Sequence, residues 1–318
     1  MRYIYDHDFM ADPSAHVFGD RIYIYPSHDV DAAPTENDNG DHFQMRDYHC
    51  LTMDTIDQPQ AHDEGRVLDV DDIPWASRQL WDNDVVEKEG RYYMVFCAKD
   101  FNDIFRLGVA VADRPEGPFI PQPDPIRGSY SIDPCLFKDD DSEVYCCFGG
   151  IWGGQLQMYA GNSRLEETHL PKGTEPAIRP RIARMADDML QFAELPREIE
   201  ILDAAGQPMM AEDPHHFFEA SWMFKLGGKY IFSWSTGDTH LICYAVGHSP
   251  YGPFRFKGEM LQPVVGWTSH HSVCRVGEEW YLFHHDSVPS GGRTWLRSLK
   301  VKPLEFDADR NLVESNNE

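Results

Sequence analysis

The chain has 318 residues, of which 42% are hydrophobic and 13% aromatic, and its 28 Lys and Arg stand against 53 Asp and Glu, for a formal net charge of −25. This apolar content is enough for a packed core and excludes a disordered chain, while no run approaches the roughly 18 apolar residues that a membrane helix requires. The acid excess argues against nucleic acid and anionic membranes as partners, because phosphate groups bind clustered Lys and Arg.

Five segments rich in β-branched and aromatic residues recur along the chain and predict β-strands. They cover residues 21–25, 91–96, 143–148, 229–234 and 279–284. Each follows a polar or glycine turn, and a shorter apolar run precedes each turn, which is the pattern of a β-hairpin. Helical patterns are scarce, and the best candidate, at residues 187–190, is short. The sequence therefore predicts an all-β fold built from repeated hairpins.

An ionisable residue occupies the same position in all five hairpins. It stands eleven residues before an aromatic of the second strand, or twelve in the third hairpin, whose turn has one extra residue. The residues at this position are Asp12, Asp82, Asp133, Glu219 and His270. Their mean spacing of about 64 residues means that five units need about 320 residues, which is the whole chain.

Five antiparallel sheets of equal rank predict a five-bladed β-propeller that forms a single domain over residues 1–318. The first strand of every propeller blade lines the central channel, so we expect the five ionisable residues to converge on one axis. Residues 2–5 resemble a strand that joins the last blade and closes the ring, and Gly-Pro-Phe turns recur at 117–119 and 252–254. Residues from about 165 to 210 break the rhythm and predict an insertion between blades three and four.

Cysteine usage and the N-terminus bear on the cellular compartment. The seven cysteines are odd in number and no pair has zinc-site spacing, so we expect buried thiols. The N-terminus lacks a basic head followed by an apolar run, and we therefore expect a cytoplasmic protein. The sequence leaves open whether the chain forms a homo-oligomer.

Five motifs around the ring positions resemble those of glycoside hydrolase family 43, in the right order and over nearly the whole chain. They are Ala11-Asp12-Pro13-Ser14, Trp81-Asp82-Asn83-Asp84-Val85, Ser131-Ile132-Asp133-Pro134, Phe218-Glu219-Ala220-Ser221 and His270-His271-Ser272-Val273. The resemblance implies a five-bladed propeller and an inverting exo-glycosidase that releases xylose, arabinose or both from short xylan-derived oligosaccharides. The chain departs from the family at Asp82, where many members have Trp-Ala-Pro-Asp, and this extra acid is expected to alter the centre of the ring.

Inverting hydrolysis needs two carboxyl groups on opposite faces of the sugar, one ionised to deprotonate water and one protonated to donate to the leaving oxygen. Asp12 resembles the general base of the family, and Glu219 resembles its general acid. Asp133 resembles the third acid, which raises the pKa of Glu219 and orients it, since a like charge nearby disfavours ionisation.

The pair His270-His271 is a candidate metal contact, and strand alternation lets only one of the two rings face the channel. The hairpin register favours His270 for this position. Several members of the family hold a calcium ion or a water on the axis with a histidine pointing at it, so the resemblance implies Ca²⁺ as the cofactor. Two alternatives remain for His270, namely a metal contact and a hydrogen-bonded ring.

Sugar recognition needs flat apolar faces and fixed polar groups. Trp81 precedes a ring position and is a candidate platform for a pentose, while Phe43 lies in a segment expected to reach the rim. Ile132 is a candidate wall that rejects hexoses by steric conflict at the C5 substituent. Arg293 follows the last hairpin, and a matching Gly-Arg of the family reaches the sugar hydroxyls. We therefore expect a small oligosaccharide as the binding partner.

Three other functions compete with this interpretation. A non-catalytic carbohydrate-binding or protein-binding propeller would be favoured by loss of one acid, but Asp12, Asp133 and Glu219 are all present. An endo-arabinanase needs an open groove and usually export. An invertase or levansucrase type usually carries Arg-Asp-Pro where this chain has Ile132-Asp133-Pro134. The sequence does not separate a xylosidase from an arabinofuranosidase.

Overall fold

The computed structural model describes residues 1–32, 35–267 and 269–313. Its sheets form the five blades of a β-propeller, which confirms the predicted all-β fold. The described helical segments are three short 3-10 helices, at Val70–Asp72, Trp152–Gly154 and Leu156–Met158. Among the described residues, no helix has the length and apolar character that crossing a bilayer requires.

The first two blades contain the first two predicted hairpins. Blade one consists of Met10–Phe18, Arg21–His28, Asp47–Met53 and His62–Asp69. Blade two consists of Asn83–Lys88, Arg91–Asp100, Phe105–Ala112 and Ile120–Pro121, with the short strand Ala76–Arg78 also paired to its second strand. In both blades the strands follow one another in sequence and pair antiparallel to their neighbours.

The remaining blades repeat this order. Blade three consists of Cys135–Lys138, Val144–Phe148, Arg181–Arg184 and Arg197–Glu198. Blade four consists of Glu219–Leu226, Lys229–Ser235, Ile242–Gly247 and Phe254–Leu261, and Ile201–Leu202 adds a parallel edge strand. Blade five consists of His271–Val276, Glu279–Asp286, Ser298–Phe306 and Arg2–Tyr3, and Leu312–Val313 pairs with its third strand. A separate two-stranded hairpin is formed by Tyr159–Ala160 and Ser163–Arg164.

The ring closes where the start of the chain meets its end. Arg2 and Tyr3 pair with Val301 and Lys300, as the sequence predicts for the N-terminal strand. The inner strands of the blades contact one another in a complete cycle, from blade one through blade five and back to blade one. This closed cycle leaves no open sheet edge at the axis and fixes the residues that begin each inner strand around one point.

Two predictions about the middle of the chain need correction. Arg181–Arg184 and Arg197–Glu198 are the outer strands of blade three, so the segment at about 165–210 is only in part an insertion. Both strands are short, and a long connection separates Arg181–Arg184 from Val144–Phe148. The sequence therefore does not show the usual spacing of a blade in this segment. Residues 187–190 form a turn and not a helix.

The hairpin turns and the blade interfaces follow from residue type. Gly90 adopts a φ of +77° at the tip of its hairpin, a conformation that glycine reaches without a steric penalty. Phe119 and Phe254, which follow the repeated Gly-Pro pairs, are both buried. Large apolar side chains from neighbouring sheets pack into clusters between the blades. All seven cysteines are free and buried, as expected from their apolar surroundings.

Candidate active site

A cavity of about 440 Å³ opens at the propeller axis, a size typical of small-molecule sites. All five predicted ring positions line it, namely Asp12, Asp82, Asp133, Glu219 and His270. These residues come from five different blades and are brought together by the closed cycle of inner strands. The repeat position read from the sequence therefore corresponds to one shared cavity.

The backbone near the acids is bent in a way that redirects their side chains. Asp12 and Asp133 have φ angles of 51° and 57°, in the left-handed region that residues with a Cβ rarely adopt. Ala220, which follows Glu219, has a φ of 60°. The strand register shifts beside Asp12 and after Glu219, as in a β-bulge. Bulges and strained residues of this kind often aim side chains at functional sites.

Asp12 is buried and surrounded by groups that favour its ionised form. Its Oδ1 accepts a hydrogen bond of 2.8 Å from Arg297, and its Oδ2 accepts one of 2.9 Å from the Ser27 hydroxyl. The Asp12 backbone N–H donates to Nδ1 of His285. Burial alone disfavours the charge, but the Arg297 guanidinium outweighs it and holds the pKa of Asp12 below its ordinary value.

Arg297 is a buried residue of the site that the sequence reasoning missed. Its guanidinium joins Asp12 to Asp29, whose Oδ1 accepts a hydrogen bond of 2.7 Å and whose Oδ2 accepts one of 2.9 Å. The group also lies 5.0 Å from the centre of the Phe43 ring, a cation–π distance. Two carboxylates and an aromatic face thus hold Arg297 in one orientation at the cavity wall.

Glu219 has an environment opposite to that of Asp12. Burial, followed by the charges of Asp82 and Asp12, raises its pKa to about 8. Asp133 accepts a hydrogen bond of 2.7 Å from the Ala220 backbone N–H, next to Glu219. Burial and the neighbouring Asp82 also raise the pKa of Asp133 well above its ordinary value. Asp82, the departure from the family motif, therefore raises the pKa of both Glu219 and Asp133.

The centre of the acid group has the donor set of a cation site. His270 Nε2 lies 3.1 Å from Asp82 Oδ1, and neither ring nitrogen makes a hydrogen bond within the described part of the chain. Asp82 Oδ1 and Asp133 Oδ1 are likewise buried without a hydrogen-bond partner there. Single donor atoms of Asp12, Asp82 and His270 lie within 4.8 Å of one another. Carboxylate oxygens with one imidazole fit a hard divalent cation such as Ca²⁺.

Three of the four predicted sugar contacts lie in the cavity wall, namely Phe43, Trp81 and Ile132. Trp81 donates its indole N–H to the Phe43 carbonyl at 2.9 Å, and the two rings meet edge to face. Ile132 is buried against Gly150 and Gly154, where an added Cβ would clash with its side chain. Glycine at these two positions therefore makes room for the Ile132 side chain, which packs closely against the backbone of both.

The structure contradicts the predicted placement of Arg293. Arg293 is not among the residues that line the cavity, and its guanidinium forms an ion pair of 2.7 Å with Asp31. Arg297, four residues later, occupies the place at the cavity that the sequence reasoning gave to Arg293. The turn before the third strand of blade five directs Arg293 outward and carries Arg297 inward.

Two tryptophans form a second aromatic wall that no repeat position indicated. Trp152 and Trp267 are stacked, with ring centres 5.5 Å apart and planes 13° from parallel, and both are partly exposed. Phe218 meets Trp152 edge to face. All three line the cavity together with Glu219. The arrangement presents a flat apolar surface beside the carboxyl group that has the raised pKa.

Comparisons with known proteins agree over nearly the whole chain. The sequence model of glycosyl hydrolases family 43 matches residues 7–311. A β-xylosidase of Xylanibacter ruminicola is 59% identical over 312 residues, which cover 98% of both chains. A xylosidase/arabinosidase of Bacteroides ovatus is 58% identical, covering 98% of this chain and 96% of the relative. One similar solved structure is a family 43 β-xylosidase/α-arabinofuranosidase from a compost microbial metagenome, in complex with xylotriose and in a calcium-free form. It has a TM-score of 0.95 and 54% sequence identity, and the match covers 98% of this chain and 96% of that chain.

Proposed function

The chain belongs to glycosyl hydrolases family 43 and is a glycoside hydrolase, and we propose that it releases xylose, arabinose or both from the ends of short xylan-derived oligosaccharides by an inverting mechanism. Asp12 is the general base, Glu219 is the general acid, and Asp133 positions the acid. The observation that carries this proposal is the opposite electrostatic setting of Asp12 and Glu219 within one cavity.

The two electrostatic environments give each carboxyl group the protonation state that its role requires at neutral pH. Arg297 keeps Asp12 ionised, so it accepts a proton from the attacking water. At pH 7 a group with a pKa of about 8 is roughly 90% protonated, so Glu219 holds the proton that the leaving oxygen needs. Water then attacks from the face of the sugar opposite the leaving group, which inverts the anomeric centre.

Asp133 acts on Glu219 through the backbone. Its Oδ2 holds the Ala220 N–H at 2.7 Å, and this contact fixes the bulge on which the Glu219 side chain stands. The carboxylates of Asp82 and Asp12 raise the pKa of Glu219, and Asp133 and Glu219 also repel each other when both are ionised.

A divalent cation fits the centre of the acid group. His270, Asp82 and Asp12 would hold it, and the chemistry it would supply there is positive charge beside the buried carboxylates of Asp12 and Asp82. Ca²⁺ is the candidate, since a hard cation favours oxygen donors. The family 43 relative that was solved in a calcium-free form is consistent with a role for this ion among such enzymes.

The cavity walls support a pentose as the sugar that is released. Ile132 stands beside Asp133 in the cavity wall and packs closely against Gly150 and Gly154, so a ring bearing a C5 hydroxymethyl group meets a steric barrier. Phe43 and Trp81 supply apolar faces, and the stacked Trp152 and Trp267 offer a surface for a second sugar. The bound xylotriose of the solved relative agrees with a chain of linked pentoses as the substrate class.

Hydrolysis of 4-nitrophenyl β-D-xyloside, 4-nitrophenyl α-L-arabinofuranoside and xylotriose tests the proposal. We expect release of nitrophenol from at least one of the two glycosides. With xylotriose, we expect free xylose from the start of the reaction, before the shorter oligosaccharide that remains is itself hydrolysed. Each reaction is repeated after EDTA treatment and after addition of Ca²⁺. Absence of hydrolysis on all three substrates under all conditions would exclude the proposed activity.

A further inference from the structure

Two histidines and an aspartate meet on blade one, outside the catalytic cavity. His28 ends the strand Arg21–His28, while Asp47 and His49 lie at the start of the neighbouring strand Asp47–Met53. None of the three lines the cavity. Their side chains retain 22%, 15% and 17% of their exposure, so solvent and small ions reach them.

Both imidazoles turn one nitrogen towards Asp47. Nδ1 of His28 lies 2.7 Å from Asp47 Oδ1, and Nε2 of His49 lies 4.0 Å from Asp47 Oδ2. One donor atom from each of the three residues lies within 4.8 Å of the others. A single ion that draws these atoms together by a modest side-chain movement would therefore contact two nitrogens and a carboxylate.

Each imidazole turns its other nitrogen towards a further carboxylate. Nδ1 of His49 lies 2.9 Å from Asp63 Oδ2, and Nε2 of His28 lies 3.2 Å from Asp8 Oδ2. Histidines that bind metals usually donate their second ring N–H to a carboxylate, which fixes the tautomer and strengthens the ligand. Asp63 and Asp8 can therefore hold the second nitrogen of each ring while the Asp47-facing nitrogens bind an ion, and at His28 that ion would replace the proton that Nδ1 shares with Asp47 at 2.7 Å.

We propose that His28, Asp47 and His49 form a binding site for Zn²⁺, separate from the cation site of the catalytic centre. Two imidazoles and one carboxylate suit zinc, with water completing a tetrahedral set. The central group offers a single imidazole among several carboxylates and so favours a harder ion. The two sites therefore differ in the metal that they select.

The place of the zinc site links it to the catalytic cavity. The connection between the two strands begins at Asp29, which holds Arg297, and includes Phe43 and Met45, which line the cavity. Zinc bound to His28 on one side and to Asp47 and His49 on the other ties the two ends of this connection together. The ion is thus a structural clamp for one wall of the catalytic cavity.

Zinc titration of the metal-stripped full chain tests the proposal. With Ca²⁺ present to fill the central site, isothermal titration with ZnCl₂ is compared for the wild type and the variants H28A/H49A and D47N. We expect one equivalent of Zn²⁺ to bind the wild type and to be lost in both variants. Substitution with Co²⁺ should give visible absorption of tetrahedral intensity only where that equivalent binds.

Two controls separate this site from others. H248A removes a surface histidine of blade four that lies beside Lys229, and H270A removes the imidazole of the central group. Both variants should keep the zinc equivalent. D63A should weaken zinc affinity by roughly 10-fold or more, because it removes the carboxylate that orients the His49 ring and leaves the three proposed ligands in place.

Melting curves in EDTA show whether each variant folds, and the rise in Tm on adding Zn²⁺ gives a second readout. We expect that rise in the wild type and H248A and its loss in H28A/H49A and D47N. The proposal is overturned if the wild type binds no zinc, or if the folded H28A/H49A variant keeps the same stoichiometry and the same Tm rise. In either case the three residues form only histidine–aspartate hydrogen bonds.

Discussion

Replacing Glu219 by glutamine tests the proton that the structure assigns to this side chain. With its pKa at about 8, Glu219 is roughly 90% protonated at pH 7, whereas a carboxyl at the ordinary value of 4.5 would be protonated in about 0.3% of molecules. The environment of Glu219 therefore raises the population of the acid form by about 300-fold. Glutamine keeps the shape of the side chain and removes the transferable proton.

The effect of this variant should depend on the leaving group. For xylobiose, whose leaving oxygen needs the proton, we expect kcat/KM of Glu219→Gln to fall by roughly 10²–10⁴-fold. For 2,4-dinitrophenyl β-D-xyloside, which leaves without protonation, the loss should be less than about 10-fold. The alkaline limb of the wild-type pH–rate profile near pH 8 should be absent from the variant.

Glu89→Gln is the matched control, because Glu89 is an exposed residue of a hairpin turn. It should retain wild-type rates on both substrates. Equal losses on xylobiose and on the dinitrophenyl glycoside in Glu219→Gln would refute the role of Glu219 as proton donor. An alkaline limb that persists in the variant would also contradict the assignment.

Three further predictions concern the surroundings of the acid and base. Asp29→Asn removes a carboxylate that repels Asp12 and leaves Arg297 to pair with Asp12 alone, so the pKa of Asp12 should fall further and the acid limb of kcat/KM should move to lower pH. Removal of metal with EDTA should lower kcat, and Ca²⁺ should restore it in the wild type but not in His270→Ala. Burial lowers the pKa of His284 to about 3, so between that value and pH 6.5 the unfolded chain binds a proton at this residue that the folded chain does not. The free energy of unfolding should therefore decrease as the pH is lowered through this range, by up to about 1.4 kcal/mol per pH unit.

These predictions have separate readouts. An acid limb that stays in place or moves to higher pH in a folded Asp29→Asn variant would show that Asp29 does not compete with Asp12 for Arg297. Full activity in EDTA would remove the cation from the catalytic account. For His284, urea titrations of the wild type and His284→Gln at pH 6 and pH 4 give the slope, and a variant slope as steep as that of the wild type would mean that His284 is not its source.

The blade architecture was predictable because each hairpin is determined by residues that are close together in the sequence. Each hairpin combines a polar turn with alternating apolar strands, and the predicted second strand at 91–96 lies within the observed Arg91–Asp100. A fixed step from that strand led to Asp82, and the same step led to Asp12 and Glu219. Strand periodicity thus located the residues that share the axis, since the register within a hairpin fixes the start of its inner strand.

Contacts between distant segments were not predictable in the same way. Arg297 pairs with Asp12 across 285 residues of sequence, and no hairpin register distinguishes it from Arg293. Trp152 and Trp267 lie in connections between strands, where no periodicity constrains the position of a side chain. The outer strands of blade three escaped notice because a long connection separates Arg181–Arg184 from Val144–Phe148.

The stereochemistry of the first product tests most directly the claim that Asp12 and Glu219 act from opposite faces of the sugar. Proton NMR follows hydrolysis of a β-D-xyloside from the first seconds, before the anomers of free xylose equilibrate. A base that activates water opposite a protonated acid predicts α-xylose as the first product. If β-xylose forms first, one carboxylate attacks the sugar itself, and the proposed roles of Asp12 and Glu219 are wrong.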